Sequence, residues 1–94
     1  MIVKFNPQRA ETQTTASVYN NTLKYKQEEI DLTSIPKGAT ATNEFLTINK
    51  DLEGNVIISM LWQYTESTKS NCFPKDLEIT DGEIYPKEST NADN

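Results

Sequence analysis

"NVIISMLWQY", Asn55 to Tyr64, is the most apolar stretch of the chain, and its reading decides the fold. Within it, Val56-Ile57-Ile58-Ser59-Met60-Leu61-Trp62 is apolar at both odd and even positions, the pattern of a central strand covered on two sides. The β-branched residues and the preceding Gly54 argue against a helix. A chain this short rarely covers both faces of a sheet by itself, so a strand with one face reserved for a partner is the second reading. The question is whether this stretch is ordinary core or a surface offered to other molecules.

Strand signals continue on either side, each bounded by Gly, Asn, Pro or Asp. Upstream, Phe45 to Lys50 pairs with the apolar run as a hairpin, with Asp51-Leu52-Glu53-Gly54 as its loop and Gly54 at the left-handed position. Ala16 to Tyr19 and Thr22 to Tyr25 flank Asn20-Asn21, a pair that tolerates the positive φ of a tight turn. After a polar turn at Lys26 to Glu28, Glu29-Ile30-Asp31-Leu32 alternates with period two, placing Ile30 and Leu32 on one face. Pro36 and Gly38 stop that strand, and a short 3₁₀ turn is expected within Ser34 to Gly38.

The two ends read more weakly. Met1 to Phe5 is a short apolar start closed by Asn6-Pro7, and Gln8 to Thr15 is polar, Thr-rich and aperiodic, hence a loop. Downstream of the apolar run, Tyr64 to Asn71 is a polar loop followed by Phe73-Pro74. Asp76 to Thr80 alternates with Leu77 and Ile79 on one side, Asp81-Gly82 is a turn, and Glu83 to Pro86 returns as a last short strand. "KESTNADN", Lys87 to Asn94, contains no large apolar residue and is expected to be a frayed tail. The expected architecture is all-β: a meander of short hairpins over residues 1–86, curled into a small sandwich or open barrel.

Composition narrows the function. The 94 residues suit one domain with a modest core. Nine Lys and Arg against fourteen Asp and Glu give a net charge of -5, which disfavours a nucleic-acid partner, because such binding draws on basic residues displacing counterions. No stretch approaches the ~20 apolar residues of a membrane span, and "MIVKFNPQR" lacks a basic region followed by an apolar run, so we expect a soluble protein without a recognisable export signal.

Catalytic chemistry has little to work with. Cys72 is the only cysteine and there is no histidine, which removes intramolecular disulfides, the usual soft-metal clusters and the commonest nucleophile–base pairs. The acids Glu28, Glu29 and Asp31, and Asp76, Glu78, Asp81 and Glu83, alternate with apolar residues and read as solvated faces rather than paired catalytic carboxylates. "DLEGN" has too few oxygen ligands for a calcium loop, and Gly38, Gly54 and Gly82 stand too far apart to cradle a phosphate. The expectation is a protein that is not an enzyme and needs no cofactor or metal.

The order of motifs carries a resemblance. "FNPQR" at Phe5 to Arg9, "IDLTSIPKGAT" at Ile30 to Thr40 and "FPKDLEITDGEIYP" at Phe73 to Pro86 resemble a family of small proteins encoded in the tail-gene clusters of tailed bacteriophages and prophages. The similarity runs from about Met1 to Pro86: a Pro-x-Arg start, a hairpin, an acidic-apolar strand running into Pro-x-Gly-Ala-Thr, a strongly apolar strand, a polar loop, and a Phe-Pro leading to a strand with an Asp-Gly turn. The family often carries a His-Gly-Ala-Asn type of loop after the apolar strand, where this chain has Gln63 to Asn71.

The resemblance implies a tail-associated protein, a minor structural component or an assembly factor. Its partners would be tail or baseplate proteins, or further copies of itself, in the host cytoplasm during assembly or in the virion tail. The residues expected to meet a partner are Trp62, Tyr64, Thr65, Glu66, Lys69, Asn71 and Phe73, because a polar loop beside an apolar strand is where a rigid scaffold presents contacts, and aromatics anchor interfaces. For Trp62 the competing reading is core packing. The alternative function is an acidic inhibitor of a host enzyme or defence system, which would require carboxylates in one continuous row. A small-ligand binder inside a barrel would require an apolar cavity.

Overall fold

The structure, a computed structural model, describes residues 1–86. The expected tail at Lys87 to Asn94 lies outside them. The chain is all-β, in two sheets. Strands β1 (Ile2–Arg9), β5 (Thr40–Thr42), β6 (Leu46–Lys50), β7 (Val56–Tyr64) and β8 (Leu77–Glu78) form one sheet in the order β5-β6-β7-β1-β8. Strands β2 (Ala16–Tyr19), β3 (Thr22–Tyr25), β4 (Glu28–Asp31) and β9 (Gly82–Ile84) form the other in the order β4-β3-β2-β9.

Both expected hairpins are present, and their turns carry the required backbone. Asn20 and Asn21 take φ of 51° and 62° between β2 and β3, and Gly54 takes 92° before β7. In the second turn the Asp51 carboxylate accepts the backbone N–H groups of Glu53 and Asn55 at 2.9 and 2.8 Å. The Asn55 amide is the main cause that holds this carboxyl below its usual range.

The hairpins alone do not make the fold. β1 lies parallel to β7 over its whole length, from Ile2 opposite Ile57 to Arg9 opposite Tyr64. This corrects the expectation that the first strand closes at Asn6-Pro7 and that Gln8 opens a loop. Pro7 is accommodated because β8 pairs only with Ile2 and Val3, leaving that side of β1 without a ladder from Lys4 onward. Three smaller expectations also move. Leu32 leaves the β4 strand and is the buried residue of a 3₁₀ turn at Leu32–Ser34, capped by the Asp31 carboxylate, which accepts from Thr33 N–H. The turn therefore begins two residues before the Ser34 to Gly38 segment where it was sought and meets it at Ser34. β5, a three-residue Thr-Ala-Thr strand, pairs with β6 where no strand was expected.

The sheets pack face to face around one core. Val3 and Phe5 of β1, Leu46 and Ile48 of β6, and Ile58, Met60, Trp62 and Tyr64 of β7 share it with Val18, Leu23, Tyr25 and Ile84 of the other sheet. β7 is central in its sheet, but only one of its faces is fully covered. Ile57, Ser59, Leu61 and Gln63 on the other face are half-buried, which corrects the expectation of cover on both sides.

β7 outruns β6 by four residues, and the overhang is closed by the opposite sheet. Leu61 N–H donates to the Phe45 carbonyl at 2.8 Å, and the Leu61 carbonyl accepts from the Tyr25 hydroxyl at 2.6 Å. Gln63 N–H donates to the Thr14 hydroxyl, and the Gln63 carbonyl accepts from Thr14 N–H, both at 2.8 Å. Thr14 is 2% exposed, the one buried polar residue among those described. Burial holds the Tyr25 phenol above its usual range, with the Thr14 hydroxyl opposing.

Two outcomes are expected. Ile58→Ala costs about 2–5 kcal/mol in urea denaturation, as for a buried aliphatic residue, and Ile57→Ala costs well under half of that; equal costs would mean the faces of β7 are assigned wrongly. Tyr25→Phe costs about 1–2 kcal/mol near neutrality by leaving the Leu61 carbonyl unpaired. Because folding raises the Tyr25 pKa above its usual 10.0, this contribution is complete below pH 10 and is lost as pH rises through the folded value. The stability gap between the wild type and Tyr25→Phe should therefore close at high pH.

Candidate functional site

The segment after β7 is built rather than loose. Thr68 caps a short helix, α1 (Lys69–Cys72), its hydroxyl accepting from Asn71 N–H at 3.2 Å, and Cys72 and Phe73 N–H groups close the turn on the Thr68 and Lys69 carbonyls. The expected polar loop thus contains one helical turn, for which the Thr68 cap was the available signal. Asn71 fastens this turn to the sandwich. Its side-chain oxygen accepts from the Trp62 indole N–H at 3.3 Å, and its amide donates to the Glu66 carbonyl at 3.0 Å.

The seven residues expected at the contact surface divide into two groups. Trp62 and Tyr64, 3% and 8% exposed, face the core. Trp62 meets Phe5 edge-on with ring centroids 5.4 Å apart, and the Tyr64 hydroxyl lies 3.6 Å from the Cys72 sulfur. That contact, then burial, raises the Tyr64 phenol pKa, with Arg9 opposing. Thr65, Glu66 and Lys69 are exposed, Asn71 is half-buried by its bridging role, and Phe73 is 77% exposed. The two buried aromatics support the segment, and Phe73 is the aromatic it presents to solvent.

A second surface was not singled out from the sequence: the outer face of the five-stranded sheet. Thr40 and Thr42 of β5, Thr47 and Asn49 of β6, and Ile57, Ser59, Leu61 and Gln63 of β7 lie on it, and none is charged. Side chains on this face are knitted across strands, with Thr42 and Thr47 hydroxyls 3.1 Å apart and Asn49 donating to Thr40 at 2.9 Å. Charge enters only toward β8, at Lys4 and Glu78, and Lys4 pairs with Asp76 at 3.5 Å. The signal in the sequence was the alternation of polar, uncharged residues opposite each buried one. The outer face of the four-stranded sheet differs, carrying Lys24, Glu29, Asp31 and Glu83.

At the upper end of this face, an open hollow of about 230 Å³ is bounded by Asn6, Asn43, Phe45, Thr47, Ser59 and Leu61, with Glu44 of the β5–β6 turn as the one charged residue at its rim. Phe45 is held from beneath by Tyr25 and by Lys26, whose amino group sits 4.7 Å from the Phe45 ring centre and donates to the Gln63 side chain at 3.2 Å. Among the described residues, no three His, Cys, Asp or Glu side chains come together as a metal site, and no helix is long and apolar enough to cross a membrane. Comparison with protein-family models, curated proteins and solved structures finds no match for this chain.

Asn71→Ala is expected to cost about 1–2 kcal/mol and to raise amide hydrogen exchange in Glu66 to Phe73, because it removes both ends of the bridge. Trp62 is the only tryptophan, so its emission reports the loosening directly. Unchanged exchange would mean that Thr68 and the backbone turn hold the segment by themselves.

Proposed function

We propose that this is a non-enzymatic phage or prophage protein associated with the tail, acting by protein–protein contact as a minor structural component or an assembly factor. The tail context is supported by the motif order of the sequence. The contact role is supported chiefly by the uncharged outer face of the five-stranded sheet. In a chain of which 24% is charged, the eight outward positions on β5, β6 and the paired and overhanging length of β7 from Ile57 to Gln63 carry no charge. Depletion of charge with retention of half-buried aliphatic groups, here Ile57 and Leu61, is the composition of an interface core. The exposed Phe73 beside the α1 turn supplies an aromatic anchor outside that face.

The inhibitor reading draws less support. Its carboxylates would form one row, but Glu29 and Asp31 lie on β4, Glu83 on β9 and Asp76 and Glu78 around β8 in the other sheet, with Lys24 and Lys4 among them.

Quantitative mass spectrometry of purified tail-bearing particles tests the proposal. The wild-type protein is expected at a fixed ratio to a major tail protein, or in assembly intermediates if it dissociates. Leu61→Asp and Phe73→Asp, which alter partly or fully exposed positions, should reduce that occupancy at least about tenfold while circular dichroism stays unchanged, in line with the cost of a charge placed in an interface core. Presence in the cell with absence from both particles and intermediates would reject the tail role.

A further inference from the structure

We infer that the free edge of β5 is a self-association site, at which a second copy of this chain adds its own β5 antiparallel about a two-fold axis through Ala41. This rests on the sheet edge alone and stands or falls independently of the tail reading.

The two sheets have four edges: β5 and β8 in one, β4 and β9 in the other. Native sheets guard edges with charge, extreme shortness or proline, because an edge offers unpaired N–H and C=O groups to any passing strand. Three of these edges are guarded. β4 is Glu28-Glu29-Ile30-Asp31, with three acids in four residues. β8 is two residues long and flanked by Asp76 and Pro74. β9 carries Glu83 and runs into Tyr85-Pro86. β5 is short, at three residues, but has neither of the other two devices within it. From Gly38 to Asn43 the edge reads Gly-Ala-Thr-Ala-Thr-Asn, without a charge or a proline, and Thr40, Ala41 and Thr42 are all exposed.

The ladder determines which groups are free. Pairing with β6 continues past β5 at both ends, where Lys50 N–H donates to the Ala39 carbonyl and Asn43 N–H to the Leu46 carbonyl. By the alternation of an antiparallel pair, the Ala39 carbonyl, both backbone groups of Ala41 and the Asn43 N–H turn inward to β6, while Ala39 N–H donates to the Pro36 carbonyl, and Thr40 and Thr42 turn their backbone groups outward. In a two-fold pairing centred on Ala41, Thr40 of each copy faces Thr42 of the other, and the two outward pairs exchange four N–H···O bonds. Ala41 meets its counterpart across the axis in the close, non-hydrogen-bonded position, where the two side chains lie side by side on one face of the sheet.

Charge matches in the same register. Continued past the strand into the flanking turns, the register brings the exposed Glu44 at one end of one copy's edge toward the exposed Lys37 of the other, twice by symmetry, whereas in a single copy the two lie at opposite ends of the edge. A second copy therefore brings its own complementary charges, which is the reason to name it as the occupant rather than an unrelated strand. The pairing also joins the uncharged outer faces of β5, β6 and β7 of the two copies into one continuous surface of six strands. So short a contact makes a weak, transient dimer.

Sedimentation velocity between about 10 µM and about 1 mM, the range suited to a small transient interface, is expected to show concentration-dependent dimerisation. Thr42→Pro removes one outward backbone donor from each copy and no backbone bond to β6, though the Thr42 hydroxyl contacts with the Leu46 carbonyl and the Thr47 hydroxyl go with it, and it should weaken the dimer at least about tenfold. Ala41→Lys, which places like charges across the axis, should do the same and serves if the proline variant fails to fold. In a Cys72→Ser background, Ala41→Cys places two thiols with Cα atoms about 4.5 Å apart, close enough for a disulfide. With oxidised glutathione as oxidant it should cross-link at least about tenfold faster than Asn49→Cys on the neighbouring strand. A monomer throughout the range with no preferential cross-linking overturns the inference. So does a dimer indifferent to both Thr42→Pro and Ala41→Lys, since it would use another surface.

Discussion

The parallel pairing of β1 with β7 is the constraint on which the rest of the structure depends. Every other strand pair except β1 with β8 and β2 with β9 joins neighbours in sequence through a turn. The β1–β7 ladder brings Ile2 to Ile57 and Arg9 to Tyr64 across more than half of the chain, and so encloses β2 to β6 between its two strands. Closing so long a loop costs conformational entropy that only the completed core repays. The last segment then completes both sheets: Ile79 exchanges backbone hydrogen bonds with Met1, and β9 docks on β2.

That pairing creates a problem whose solution ties the two sheets together. β1 follows β7 to Tyr64, but β6 stops opposite Met60 and Phe45 takes only the Leu61 N–H, so the Leu61 carbonyl and both backbone groups of Gln63 project toward no strand. An unpaired buried carbonyl costs about 1–3 kcal/mol. Tyr25 and Thr14, from the end of β3 and the approach to β2, supply the missing partners. The same groups that satisfy β7 therefore fix the four-stranded sheet at one height over it, and Lys26, held at φ of 56° just past Tyr25, adds its amino group to Gln63 and to the Phe45 ring.

What was legible in the sequence follows from the range of the interactions involved. The Asn20-Asn21 and Asp51-to-Gly54 turns are local chemistry, so both hairpins, the all-β class and the sandwich could be read directly. The continuation of β1 through Pro7 could not, because it depends on how little of β1 the distant β8 covers. β5 has two threonines and an alanine with no apolar alternation to announce it, and is a strand only because β6 is beside it. Leu32 has the period of a strand residue, but Asp31 caps a turn there. At the candidate site, the composition of Tyr64 to Phe73 located an exposed polar segment, read as a loop, but gave neither its helical turn nor which aromatics support it and which it presents. Trp62 and Tyr64 alternate with Gln63 on a strand whose inner face was not known until β1 was placed. Phe73, one residue beyond the helical turn, is turned out by the Asn71 bridge.

The two faces of β7 show how one apolar run serves two purposes. Its inner row, Ile58, Met60, Trp62 and Tyr64, is continuous and closed by the opposite sheet. Its outer row alternates Ile57 and Leu61 with Ser59 and Gln63, so no two large apolar side chains adjoin along the strand. Such a face is apolar enough to gain from being covered and polar enough to remain in water until it is. Simple solubility would call for charge on this face, as on the opposite sheet, where Lys24, Glu29, Asp31 and Glu83 point outward. The chain has acids to spare, and β5, β6 and β7 carry none of them outward. That asymmetry between the two sheets has no counterpart in the needs of the core, to which both contribute the buried side chains of their inner faces. It is accounted for if the four-stranded sheet faces solvent and the five-stranded sheet faces other protein.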